Sequence, residues 1–315
     1  MLQQTTVAQG TDYYLRFIQR FSTIQKLALA PIDDVLKLWE GLGYYSRARN
    51  LHFTAQDIIN NYDGRFPEDY DTILKLKGIG PYTAAAISSF VYGLPHVVVD
   101  GNVLRVISRY YGIKDPVDTP AVKKKVTDLA QKLLEQEDPA EFNQSVMEFG
   151  ALCCTYKKPS CAFCPLIDTC KAHNKNLIHL IPKKSKKIKK RKRYFQFLML
   201  TDKKGKVLVE VRSQKDIWQG LYQFPLIETQ ELPQTAAPKL PLTIMSDDLQ
   251  YDILDFSKLY KQTLTHQLIT ARFYKYKINR VFKKKLPEGM RAIALDELDS
   301  LAFPKIILSC LEEFE

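Results

Sequence analysis

The sequence predicts two domains of different class. Residues 1–182 read as an all-α region and residues 194–315 as an α+β region, joined by a basic segment at 183–193. Three observations predict this. Apolar residues recur near a 3.6-residue period through the first region. After residue 193 the pattern becomes short apolar runs rich in β-branched and aromatic residues. Between them, nine of eleven residues are Lys or Arg. At 315 residues the chain is long enough to bury two cores.

Residues 7–29 carry a helical apolar stripe through Tyr13, Tyr14, Phe17, Ile18 and Phe21. Pro31 fits the first turn of a second helix, and Gly41 and Gly43 its end. Residues 47–62, 67–77 and 83–91 continue in the same style. Thr119-Pro120 and Asp138-Pro139 each pair a side-chain cap with a proline suited to a first turn, so each opens a helix. In the second region, residues 194–200 and 207–211 flank Asp202-Lys203-Lys204-Gly205 and predict a hairpin. Residues 269–278 predict a strand and residues 304–314 a closing helix.

The net charge is +11, and the basic segment holds nine of those cations, leaving about +2 for everything else. The segment reads as a solvated, flexible linker that can also hold phosphates by counterion release. No apolar run is long enough to span a bilayer. The start lacks the basic and apolar parts of a secretion signal. The expectation is a cytoplasmic, nucleoid-associated monomer with reduced thiols.

Under those conditions clustered cysteines favour metal over disulfide. Cys154, Cys161, Cys164 and Cys170 read C-x6-C-x2-C-x5-C. Four thiolates suit either a tetrahedral zinc ion or a [4Fe–4S] cluster. Only Cys161 and Cys164 form a zinc-type pair, and the wider outer gaps lean towards the cluster. Cys153 and Cys310 fit no such spacing and read as small hydrophobes. Lys157 and Lys158, in the loop 154–170, are exposed cations in reach of a phosphate.

Lys77-Gly78-Ile79-Gly80-Pro81 lies between two helical patterns. Such a turn presents backbone N–H groups to a phosphate without reading sequence, although a plain helix–helix turn has the same look. Asp100 follows the apolar run Val97-Val98-Val99 and precedes a helix. It reads either as an N-cap or as a carboxylate placed to stabilise a developing cation.

Together these residues resemble the A/G-specific adenine DNA glycosylase family. The match includes Met1-Leu2-Gln3-Gln4-Thr5, the stretch from Gly41-Leu42-Gly43-Tyr44-Tyr45 to Leu51, the glycine hairpin, Val99-Asp100-Gly101-Asn102, the four cysteines and Gly220-Leu221-Tyr222-Gln223-Phe224-Pro225. The resemblance implies a helix–hairpin–helix glycosylase domain with a [4Fe–4S] cluster, followed by a Nudix-like domain. It implies removal of adenine opposite 8-oxoguanine or guanine in double-stranded DNA, with the adenine flipped from the stack. By position, Asp100 takes the role of oxocarbenium-stabilising carboxylate, with Asn102 beside it. Tyr82 stands where strand-cleaving relatives carry a nucleophilic lysine, and a tyrosine forms no Schiff base. Gln3, Gln4, Leu42 and Tyr44 match positions that wedge into the duplex and face the oxidised guanine. Gly78, Gly80, Lys157 and Lys158 are the expected phosphate contacts. Gln144 matches a base-pocket position.

Two departures accompany the match. The family's general acid is a glutamate two residues before the Met-Leu-Gln-Gln-Thr motif, a position that would precede Met1. The expectation is therefore a chain shortened at its N-terminus, and the upstream gene sequence would decide it. Relatives also often carry Phe-Ser-His in a lesion-sensing loop, where this chain has Leu264-Thr265-His266. Thr265 keeps a hydroxyl and His266 is retained, so both stay candidate substrate contacts. No Nudix hydrolase box is present. The competing expectations are a non-catalytic lesion-binding protein and a strand-cleaving lyase, the latter disfavoured by Tyr82.

Overall fold

A computed structural model describes the whole chain except residues 2, 4, 136, 186–188, 233–236, 241–249, 283–285 and 314–315. In chain order the helices are α1 (Val7–Arg20), α2 (Ile24–Leu29), α3 (Ile32–Leu38), α4 (Ser46–Asn61), α5 (Tyr70–Lys75), α6 (Pro81–Tyr92), α7 (Gly101–Tyr111), α8 (Pro120–Leu134), α9 (Pro139–Leu152), α10 (Lys171–Asn174) and α11 (Lys305–Leu311). The strands are β1 (Arg191–Thr201), β2 (Val207–Val211), β3 (Tyr222–Gln223), β4 (Leu226–Thr229), β5 (Tyr251–Phe256), β6 (Tyr260–Thr263), β7 (Gln267–Ile278) and β8 (Met290–Ile293). None of these helices is long and apolar enough to cross a membrane. The chain divides into two compact units, one of Met1–Gly64 with Ile188–Glu315, the other of Arg65–Lys187. The division at 64/65 falls inside the region read above as one helical stretch.

In the first unit β1 and β7 run parallel, in register from Arg191↔Gln267 to Thr201↔Lys277, and the remaining pairings are antiparallel. Successive strand side chains point to opposite faces, and both faces of β1 are covered. Phe195, Phe197 and Met199 enter one core together with Phe17, Leu36 and Trp39 of the helices. Leu198 and Leu200 enter another with Tyr274, Tyr276 and Ile278. Three polar ties fasten α3 and the turn after it to the strand region. The Tyr222 hydroxyl donates to Asp33 Oδ2 at 2.8 Å, Phe303 N to Glu40 Oε1 at 2.7 Å, and Lys37 Nζ to the Leu301 carbonyl at 3.0 Å.

In the second unit α7 and α8 enclose a core of Val103, Ile107, Val122, Val126, Ala130 and Leu134. Thr119 and Asp138 cap α8 and α9 as their sequences predict, each accepting from the amide three residues on.

Two expectations are corrected. Residues 7–29 are not one helix: the chain breaks at Phe21, and the Thr23 hydroxyl starts α2 by accepting from Lys26 N. The basic segment is not a free linker throughout. Ser185 binds Asp118 through its amide at 2.9 Å and through its hydroxyl. Arg191–Arg193 already belong to β1, because the parallel ladder with β7 begins at Arg191. Arg193 is only 5% exposed and pairs with Glu228 and Asp216, so it is spent inside the fold. Residues 186–188 lie outside the described residues.

Candidate nucleic-acid interface

In the second unit, residues 95–98 lead towards Asp100 and belong to no strand ladder among the described residues. Two side-chain amides supply the missing hydrogen bonds. Gln131 accepts from Val97 N at 3.2 Å and donates to the Pro95 carbonyl at 2.9 Å. Asn143, buried on α9, accepts from Val98 N at 2.8 Å and donates to the His96 carbonyl at 2.9 Å. Both amides are thereby satisfied and the approach to Asp100 is fixed. Sequence reading missed both residues, since nothing local marks an amide whose partners lie more than thirty positions away.

Asp100 combines its two readings. Its Oδ1 caps α7 by accepting from Val103 N at 2.7 Å, and its Oδ2 accepts from Asn102 Nδ2 at 2.8 Å. Tyr82 is 41% exposed; burial raises its phenol above the ordinary range and the negative charge of Asp100 adds to the shift. Asn102 in turn accepts from Arg105 Nη2 at 2.8 Å. Arg105 also donates to the Gly150 carbonyl at 2.6 Å and, through Nε, to the Cys154 carbonyl at 2.7 Å. One turn further on, Arg109 is 2% exposed and donates to Cys154 Sγ at 3.3 Å and to the carbonyls of Thr155, Tyr156 and Ile181. A continuous set of hydrogen bonds thus runs from the Asp100 carboxylate to the cysteine loop.

This path requires α7 and α9 to approach closely, and Gly150 permits it. A Cβ there would sit 2.7 Å from Asn102 Cβ and 3.2 Å from Asn102 backbone. Overpacking of this kind costs about 1–3 kcal/mol. Gly150→Ala is therefore expected to lower the melting temperature and to loosen Asn102. A melt matching wild type would contradict the contact.

The four metal-spaced cysteines lie in one loop, with Cys154 just after α9 and Cys170 at the start of α10. All four are partly exposed and unpaired by disulfides. The Cys161 thiol is pushed up by burial and then by the charges of Cys154, Cys164 and Cys170, so the four are electrostatic neighbours. Cys153, read as a plain hydrophobe, neighbours them too: burial raises its thiol, and Cys164, Cys154 and Cys161 add to the shift. Cys310 is buried in the other unit. Among the described residues no three His, Cys, Asp or Glu side chains are gathered to share one metal ion. An all-thiol donor set fits an iron–sulfur cluster in kind. Lys157 and Lys158 are exposed beside it.

The glycine hairpin joins α5 to α6. Gly78 has φ +85°, in the left-handed region that favours glycine. Gly80 has an ordinary φ of −100°, gives α6 no side-chain cap, and would meet nothing within 4 Å if it carried a Cβ. Internal packing therefore does not demand a glycine there. Gln144 is exposed on α9 and donates to Glu148.

In the first unit a cavity of about 410 Å³ is lined by, among others, Tyr44, Arg49, Trp218, Gln262, Thr265 and His266. It brings Tyr44 together with Thr265 and His266, and the Tyr44 hydroxyl lies 3.3 Å from Thr265 Oγ1 across 221 positions of sequence. Arg49, Trp218 and Gln262 escaped sequence reading. Leu264 packs against the core. Gln3 is exposed, and Gln4 lies outside the described residues. Leu42, read as a duplex-facing side chain, is 4% exposed. Gly41 and Gly43, both at positive φ, turn the chain so that Leu42 points into the core and Tyr44 outward.

Comparison with known proteins agrees with this architecture. Residues 1–136 match the model of the HhH-GPD superfamily base excision DNA repair protein, and residues 196–313 match that of the NUDIX domain. The adenine DNA glycosylase of Buchnera aphidicola subsp. Baizongia pistaciae (strain Bp) is 40% identical over 228 residues, covering 71% of this chain and 64% of that protein. The adenine DNA glycosylase of Rattus norvegicus is 43% identical over 176 residues, covering 56% of this chain and 34% of its own length. The chain thus spans less than two thirds of either relative. A solved thermostable thymine-DNA glycosylase superposes with a TM-score of 0.51 at 30% identity, over 55% of this chain and 80% of that one. A helical region that matches the HhH-GPD superfamily of base excision DNA repair proteins, followed by a Nudix-like α+β region, is what the fold and these matches have in common, and over these stretches the chain is similar to adenine DNA glycosylases.

Proposed function

We propose that this chain acts in base excision on double-stranded DNA, removing adenine opposite 8-oxoguanine or guanine without cutting the strand. The observation that carries the reading is the Asp100 carboxylate, fixed by Val103 N and Asn102, in a chain similar to adenine DNA glycosylases. Adenine is flipped from the stack. The C1′–N9 bond breaks with its electron pair leaving on the base. The Asp100 anion stabilises the cation left at C1′, as a fixed charge does in a water-poor site. Water adds to C1′, its proton is lost to the medium, and an abasic sugar remains. The departing base takes up one proton from the medium, which balances the one that the water gives up. Tyr82 offers no amine, so no Schiff base forms and no strand is cut.

Gly78, Gly80, Lys157 and Lys158 are proposed phosphate contacts, and Gln144 a base-pocket contact. Gln3, Tyr44, Thr265 and His266 are proposed to meet the lesion side. Cys154, Cys161, Cys164 and Cys170 are proposed to hold a [4Fe–4S] cluster, whose contribution is to knot the loop that Arg105 and Arg109 bind. Purified protein is then expected to be yellow-brown, with broad absorption near ~400 nm from iron–thiolate charge transfer. Colourless protein holding one zinc per chain would replace the cluster with an ion.

The test of function is duplex carrying adenine opposite 8-oxoguanine, incubated with protein and then treated with alkali or left untreated. Breakage only after alkali supports the proposal. Breakage without alkali, with borohydride trapping, points to a lyase. Specific binding with no alkali-labile product points to a lesion-binding protein.

A further inference from the structure

Arg47 is the second residue of α4, and no role has fallen to it so far. Its guanidinium gathers two separate stretches of the first unit. Nη1 donates to the carbonyls of Met1, at 2.5 Å, and Gln3. Nη2 donates to Thr5 Oγ1 and to the Gly43 carbonyl, both at 3.2 Å. The same group lies over two rings, 5.4 Å from the centroid of Trp39 and 5.3 Å from that of Tyr44. Trp39 is itself held in place, 1% exposed, with Nε1 donating to the Gly43 carbonyl at 3.1 Å. One planar cation therefore ties the Met1–Thr5 segment to the Gly43-Tyr44 turn.

That turn needs holding. Tyr44 has φ +51°, a left-handed conformation that L side chains seldom adopt and that costs on the order of 1 kcal/mol. Nevertheless its ring projects outward, 46% exposed, with its hydroxyl at Thr265. The attraction between a cation and an aromatic face acts on the ring that the strained backbone must present. A lysine in place of Arg47 has a single point charge and cannot fork to four acceptors.

We infer that Arg47 is a positioning residue for mispair discrimination: it sets the Gln3 segment and the Tyr44 ring in one fixed relation, so that both meet the oxidised base pair at once. The inference rests on the proposed reading of Gln3 and Tyr44 as lesion-facing. It does not give Arg47 any contact with the base.

The experiment measures affinity for two duplexes, one with adenine opposite 8-oxoguanine and one undamaged, for wild type, Arg47→Gln and Arg47→Lys. Hydrogen exchange is followed at the amides of residues 1–6 and 41–46. The inference expects Arg47→Gln to lose about tenfold or more on the lesion duplex, the scale of one charge-assisted bond, and less than twofold on the undamaged duplex. Exchange should rise in both segments together, with Arg47→Lys falling between. If both affinities fall by the same factor, or if exchange rises in only one segment, Arg47 is merely structural and the inference fails. If Arg47→Gln does not fold, Arg47→Lys decides alone: a discrimination ratio equal to wild type overturns the inference. If wild type itself does not distinguish the two duplexes, the functional reading fails instead.

Discussion

Asp100→Asn is expected to abolish most base excision while leaving the fold and DNA binding in place. Loss of one fixed electrostatic group at a developing charge costs about 10²–10³ in rate, and here the group lost is a full anion beside a cation. The change is nearly isosteric, and asparagine caps a helix about as well as aspartate. The cost in stability is confined to one acceptor. Asp100 uses both oxygens, for Val103 N and for Asn102 Nδ2, and an amide supplies only one. Single-turnover excision by protein translated from the full open reading frame, alongside a thermal melt, checks both halves. Unchanged turnover would leave Asp100 as a helix cap and nothing more.

Arg109→Ala carries the second large effect, on structure rather than chemistry. The side chain is almost wholly buried, and its donors serve the Cys154 thiol and the carbonyls of Thr155, Tyr156 and Ile181. Removing it strands those acceptors and leaves a cavity. The cost is on the order of 3–5 kcal/mol, since bonds to a charged donor are worth about 1.5–3 each and cavities add to that. The cysteine loop should open, with the iron content expected under the proposed cluster falling sharply and the melt dropping by about 10 °C. Arg109→Lys restores the charge but not the fork and should fall between. Full iron content in Arg109→Ala would mean that the loop holds its own shape without α7.

The helical caps show what local chemistry makes legible. Thr119-Pro120 and Asp138-Pro139 announce α8 and α9 because capping uses side chains within three residues of the amides they serve. The α1–α2 break was missed because Phe21 keeps the apolar period running while Thr23 ends it. Arg193 was misread for a different reason. Its residue type and its place in a basic run suggest a solvated side chain, and only the strand ladder reveals that it is buried. Arg105, Arg109, Gln131 and Asn143 were invisible because their partners are distant in sequence. A buried guanidinium on an amphipathic helix looks like any basic residue until the carbonyls around it are placed. The meeting of Tyr44 with Thr265 was not legible at all: family resemblance gave each a lesion-side role, and only the fold brings their hydroxyls together.

The most direct measurement is the release of free adenine from a duplex carrying adenine opposite 8-oxoguanine, followed chromatographically against the strand left behind. The account expects adenine and abasic strand in equal amounts, with the phosphodiester backbone intact and the reaction lost in Asp100→Asn. Tight, lesion-specific binding with no adenine released by wild type would contradict it.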